Sequence, residues 1–182
     1  MNVRIIAGKF GSRSIKAPHG HATHPMSDRI KGSLFNSIGD VIADAEVLDA
    51  FAGSGALGFE SLSRGAKNVV FVDRDRGAVQ TITDNIDTLG CKAVAKVTQS
   101  GVATWADTTD LKFDVIFADP PYNDPQFSTV NRLFRLLKPN GLMILSYPGR
   151  GESPTGTNGV VVVDNRSYGT AALTFYRMES DV

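Results

Sequence analysis

The chain has 182 residues, 42% of them hydrophobic, enough for one domain with a full core and too few for a second independent one. Its single cysteine, Cys91, excludes an intrachain disulfide and a cysteine-rich metal site, and no apolar stretch approaches the ~20 residues of a membrane span. Formal net charge is zero, which by itself points to no polyanionic partner, but the charge is unevenly placed.

Residues 1–35 hold six basic side chains (Arg4, Lys9, Arg13, Lys16, Arg29 and Lys31) against Asp28 alone, a net of +5. The remaining thirteen basic and eighteen acidic residues balance it at −5, so a basic arm is attached to an acidic body. Such asymmetry suggests a polyanion footprint, a solvated terminal extension being the plain alternative. Arg4, Lys9, Arg13, Lys16 and Arg29 are the candidate phosphate contacts. His19, His21 and His24 lie in the same arm among Pro18 and Gly20, without the rigid frame that orients metal ligands, so no metal site is expected. Met1-Asn2-Val3-Arg4 does not open a signal peptide, which with the lone cysteine suggests a cytoplasmic protein.

After the arm, Ile30, Leu34, Ile38 and Val41 recur on one helical face, capped by Ser27 or Asp28, with Gly39 ending or kinking the helix. Short apolar runs then alternate with helical patterns. The runs are 47–50, 69–72, 93–97, 113–118 and 142–145. Between them, Val79, Ile82, Ile86 and Leu89 precede Gly90, and Phe127, Val130, Phe134 and Leu137 precede Pro139-Asn140-Gly141. This alternation predicts an α/β fold with a doubly wound, mainly parallel sheet, buried on both faces. Residues 148–159 read as a polar loop, and 160–163 and 172–176 as two last strands pairing antiparallel at one edge.

The first run leads into Asp49-Ala50-Phe51-Ala52-Gly53-Ser54-Gly55-Ala56-Leu57-Gly58, and Asp73 ends the second. The spacing satisfies the dinucleotide fingerprint, which alone is weak. A pyrophosphate would avoid Asp49, whereas a ligand carrying an ammonium and a sulfonium would welcome it, so S-adenosylmethionine fits better than NAD. Asp49 would lie near its methionyl end, Gly53 and Gly55 would allow close backbone approach, and Asp73 would accept from the ribose. Phe51, Ser54 and Arg74 are expected to line the same site. Asp119-Pro120-Pro121-Tyr122, at the end of the 113–118 run, should face this loop. Asp119 and the Pro120 carbonyl could accept the two hydrogens of an exocyclic nucleobase amine, with Tyr122 stacked on the base for about 1 to 3 kcal/mol. Trp105 and Phe113 read as packing residues.

The chain is similar, over almost its whole length, to the RsmD family of bacterial 16S ribosomal RNA guanine N2-methyltransferases acting at guanine 966. The resemblance is carried by Arg4-Ile5-Ile6-Ala7-Gly8, Asp28-Arg29 with Ser33-Leu34-Phe35-Asn36, residues 49–58 with Ser63-Arg64-Gly65-Ala66, Asp119-Pro120-Pro121-Tyr122, and Ser167-Tyr168-Gly169-Thr170. It implies a Rossmann-like class I methyltransferase of seven strands with an antiparallel edge strand. Residues 1–44 would be an RNA-contacting arm and helix, and residues 45–182 the S-adenosylmethionine-dependent domain. It further implies methylation of a guanine 2-amino group on the small ribosomal subunit or an assembly intermediate; a monomer is expected. His24-Pro25-Met26, Gly32 and Asp73 stand where the family usually shows Arg-Pro-Thr, Glu and Glu, and Gly101 where related proteins place an adenine-binding Asp, leaving Ser100, backbone or water to serve. The alternatives are an adenine 6-amino methyltransferase of DNA or RNA, and a noncatalytic RNA-binding assembly protein.

Overall fold

The structure is a computed structural model that describes residues 2–19, 26–149 and 152–180. Its elements begin with a hairpin of β1 (Asn2–Arg4) and β2 (Ser14–Lys16) and the helix α1 (Asp28–Ile38). The alternating body follows as β3 (Glu46–Ala50), α2 (Ala56–Ser63), β4 (Asn68–Asp73), α3 (Arg76–Leu89) and β5 (Ala95–Gln99). It continues with α4 (Val102–Thr108), β6 (Phe113–Ala118), α5 (Phe127–Leu133) and β7 (Leu137–Pro148), and ends in β8 (Val160–Ser167) and β9 (Ala171–Met178).

Seven strands make one sheet in the order β5-β4-β3-β6-β7-β9-β8. The first five are parallel, β9 runs against β7, and β8 pairs β9 at the outer edge. The expected hairpin is therefore present, with its second strand inserted beside β7 and its first outermost. Successive side chains divide between two apolar layers, as strand geometry requires. Val47, Val115 and Phe117 face a layer shared with Leu34, Phe35, Phe59 and Phe71. Leu48, Ile116 and Met143 face Val130, Leu133 and Tyr176 on the other side. Both faces are covered, which is why β6 reads as a nearly unbroken apolar run.

The basic arm belongs to the first layer rather than to solvent. Val3, Ile5 and Ile15 of its hairpin are buried beside Leu34 and Phe59. The sequence carried no hairpin signal there, because each strand is three residues long.

Several boundaries differ from the periodicity. Ser27 caps α1 by accepting from Ile30, and Gly39 ends it at φ +59°, so the following 3₁₀ turn leaves Val41 exposed instead of in the stripe. Strand β5 starts two residues later than its apolar run. Helix α5 tightens into a 3₁₀ turn at Phe134–Leu136, and Leu137 already belongs to β7. Pro139-Asn140-Gly141 is not a helix stop but part of a bulge: Phe113 pairs Leu137 while Val115 pairs Leu142, with Asn140 at φ +65°. The short α4 had no expectation. Trp105 within it packs on Phe113 with ring centroids 6.2 Å apart, as expected of packing residues.

Candidate active site

Strands β3 and β6 are neighbours in the sheet but send their chains to opposite sides, and Ala50 lies in register with Ala118. The crevice beyond their carboxyl ends is the topological switch point, where open α/β sheets bind ligands. The glycine loop and the Asp119 turn thus meet there, as the strand order predicts.

Several contacts fix the loop. Gly53 donates to Asp73 Oδ2 at 2.9 Å, and Asp73 Oδ1 accepts from the Asp75 amide at 2.8 Å. Each Asp73 oxygen keeps further acceptor capacity. Phe51 sits at φ +55°, a conformation that a bulky residue holds only under strain from its surroundings. Gly55 turns the chain into α2 at φ +80°, where an added Cβ would sit 2.6 Å from the Phe59 ring. Asp49 is 1% exposed and accepts from the Gly58 amide at 2.9 Å, so it caps the start of α2. Burial pushes its carboxyl well above the usual range, the Gly58 amide opposes the rise, and the nearby Asp119 and Asp73 add to it. Three carboxylates converging on one crevice make a site for positive charge.

In the opposite wall, Pro121's carbonyl accepts from the Asp124 amide, whereas Pro120's accepts no hydrogen bond among the described residues. Asp119 is partly buried, and burial raises its carboxyl to about 6 against a lowering hydrogen bond from Ser146. The Tyr122 ring remains 40% exposed while its hydroxyl lies 3.1 Å from the Ser146 hydroxyl. Ser146, 2% exposed, therefore touches two members of the turn. Sequence reading missed it, although the residue following Leu145, which pairs Ala118, has to stand beside Asp119.

The remaining expected residues are dispersed. Ser100 and Gly101 lie where β5 gives way to α4, with the Ser100 hydroxyl donating to the Gly101 carbonyl at 2.9 Å. An added Cβ on Gly101 would meet nothing nearer than Thr104 at 3.9 Å. Arg74 is exposed beside Asp73. In the arm, Arg4 pairs with Asp28 at 3.4 Å near exposed Arg29, at the start of α1. The tip of the arm lies at the other end of the sheet: the Lys9 amide donates to Ser63 at the end of α2, and Arg13 to the Thr88 carbonyl near the end of α3. Lys16 is exposed, its backbone held by Asn85. His21 and His24 lie outside the described residues, among which no group of His, Cys, Asp or Glu could hold a metal. No helix described is long and apolar enough to cross a membrane.

The arm's fixation was also missed. Glu60 is fully buried, accepting from Ile6 at 2.8 Å, Ala7 at 3.2 Å and Arg64 at 2.9 Å, with Lys31 at 3.7 Å.

The family model described as Conserved hypothetical protein 95 matches residues 3–177. YlbH of Bacillus subtilis is 34% identical over 181 residues, covering 96% of this chain and 98% of its own. Ribosomal RNA small subunit methyltransferase D of Haemophilus influenzae is 37% identical over 154 residues, 78% of this chain and 76% of its own. The solved structure of yhhF from Escherichia coli agrees with a TM-score of 0.89 at 30% identity, over 100% of both chains. Since the match runs through the arm as well as the sheet, the chain belongs to the RsmD family and has the Rossmann-like class I methyltransferase fold.

Proposed function

We propose that this protein transfers a methyl group from S-adenosylmethionine to the exocyclic 2-amino group of a guanine in the 16S rRNA of the small ribosomal subunit or its assembly intermediate. The observation that carries the reading is the pair of acceptors, Asp119 and the Pro120 carbonyl, set across the crevice from the glycine loop. The relative from Haemophilus influenzae is named for ribosomal RNA of the small subunit, which supports this substrate class.

The residues present fit the cofactor. The Asp49 and Asp119 carboxylates suit a cationic methionyl end, Asp73 suits ribose hydroxyls, and the Ser100 oxygen can still accept from an adenine amine. Phe51, Ser54, Gly53, Gly55, Arg74 and Gly101 would surround it. Bound S-adenosylmethionine supplies a methyl carbon made electrophilic by its sulfonium.

A nucleobase amine is a poor nucleophile because its lone pair is delocalised into the ring. With its two hydrogens held by Asp119 and the Pro120 carbonyl, the nitrogen turns that lone pair toward the methyl carbon. The nitrogen would take the methyl as the sulfonium's sulfur–carbon bond broke to leave a thioether, and the amine's extra proton would then pass to water without a strong base. Tyr122 offers its exposed ring as a platform for a base withdrawn from its stack. A carboxylate suits guanine, whose ring N–H and 2-amino group are adjacent donors.

The test is methyl transfer from labelled S-adenosylmethionine to unmethylated small subunits, with nucleoside analysis and Asp119→Ala as control. The expected product is N2-methylguanosine, reduced at least 100-fold in the variant while RNA binding persists. Label in 6-methyladenine would transfer the site to adenine chemistry, and RNA binding without any label would favour a noncatalytic assembly role.

A further inference from the structure

An open concavity of about 660 Å³ lies away from the glycine loop, between α1 and β8, and takes Arg29, Gly32, Ser33, Asn36, Ser37 and Arg166 into its lining along with Asp28. None of the chemistry above uses it, and Arg166 was not among the residues singled out from the sequence. We propose that this groove is the track for the phosphate backbone of the RNA strand whose base enters the Asp119 turn. The inference rests on the RNA methyltransferase reading and assigns its substrate a path.

Position supports it first. Asp119 follows Ala118, which pairs Leu145; the next residue, Ser146, pairs Leu173, and Leu173 pairs Arg166. Asp119, Ser146, Leu173 and Arg166 therefore form one row across the carboxyl edge of the sheet. Strand alternation puts all four on the face that α1 covers, where Phe117, Ile144 and Leu173 are buried. Three strand spacings separate Asp119 from Arg166, about 14 Å, which a few nucleotides can span.

Chemistry supports it second. Arg166 is pre-positioned: its guanidinium lies 5.6 Å over the Phe175 ring, pairs with Asp164 at 3.0 Å and donates to the Ser37 hydroxyl. Arg29 is exposed on the facing helix, and the hydroxyls of Ser33 and Ser37 with the Asn36 amide add neutral polar groups of the kind that contact phosphate and sugar. The two carboxylates nearby are both engaged, Asp28 by Arg4 and Asp164 by Arg166. Gly32 leaves the floor open; a Cβ there would meet only Ile6 at 3.7 Å. A hydrogen bond of 2.8 Å between Ser33 and Tyr168 joins α1 to the β8–β9 turn, so both walls are held together.

The experiment measures binding of a labelled 16S rRNA hairpin between 50 and 200 mM salt, for wild type, Arg29→Ala/Arg166→Ala and Lys9→Ala/Arg13→Ala, with S-adenosylmethionine titration as the check on folding. The arginine pair is expected to lower the salt slope by roughly two and affinity by at least tenfold. An unchanged slope in the arginine pair overturns the groove, as does a slope that falls only in the Lys9/Arg13 pair. The methyl-transfer reading fails separately, if wild-type protein binds the hairpin but methylates no small subunits.

Discussion

In the proposed reaction Asp119 accepts from the base best as a carboxylate, and its burial works against that state by raising it to about 6. The buried Ser146 hydroxyl counters the rise and also lies 3.1 Å from the Tyr122 hydroxyl, so one side chain would tune the proposed acceptor and steady the proposed platform. Methyl transfer should therefore fall as pH drops through about 6, where Asp119 takes up its proton. In Ser146→Ala the opposing hydrogen bond is gone, and the acid limb of the rate profile should move to higher pH. Rates measured from pH 5 to 9 decide it; a limb that stays in place while Tm falls would leave Ser146 a packing residue only. The turn itself was legible because its four residues are contiguous. Ser146 was not, because it stands 24 residues from Tyr122 and becomes its neighbour only through strand pairing.

Among the elements, the arm and α1 depend on a buried charge cluster. Lys31, 1% exposed, gives its ammonium to the Arg4 carbonyl at 2.6 Å and lies beside Glu60, which also binds the Ile6 and Ala7 amides. Desolvation lowers the Lys31 pKa, and Glu60 is the largest influence raising it again. Replacing one partner of such a pair leaves the other charge buried alone, which costs about 3–5 kcal/mol. Glu60→Gln should accordingly reduce stability by an amount in that range in urea unfolding. Hydrogen exchange should show the Ile6 and Ala7 amides losing protection before the sheet does. Protection equal to wild type would mean that the apolar contacts of Val3, Ile5 and Ile15 hold the arm by themselves. The helical period made α1 legible through Leu34 and Ile38, but it could not reveal Lys31 in the buried face. A lone lysine on a helix is normally solvated, and its counter-charge arrives from α2.

For the molecule as a whole, gathering Asp49, Asp73 and Asp119 at one crevice favours a cationic ligand and opposes folding in its absence. The folded chain holds the Asp119 proton more tightly than the unfolded chain, whose carboxyl titrates near 3.8, so stability declines as pH rises from about 4 to about 6 and stays lower above. Asp119→Asn should then be the more stable protein at pH 8, by up to about 3 kcal/mol, while losing methyl transfer. Thermal unfolding at pH 8 and pH 4 checks this: the gain should be present at the first and nearly absent at the second, and a variant less stable at both would refute it. The sequence by itself determined the alternating layers, the glycine loop and the Asp119 turn, because each is written in local periodicity or in contiguous residues. Tertiary structure alone decided that Ser146 joins the turn, that Glu60 clasps the arm, and that the arm's cations divide between the two ends of the sheet. It also decided that Arg166 shares a row with Asp119. Each of those facts depends on which strands become neighbours, and neighbourhood is set by packing both faces of the sheet at once.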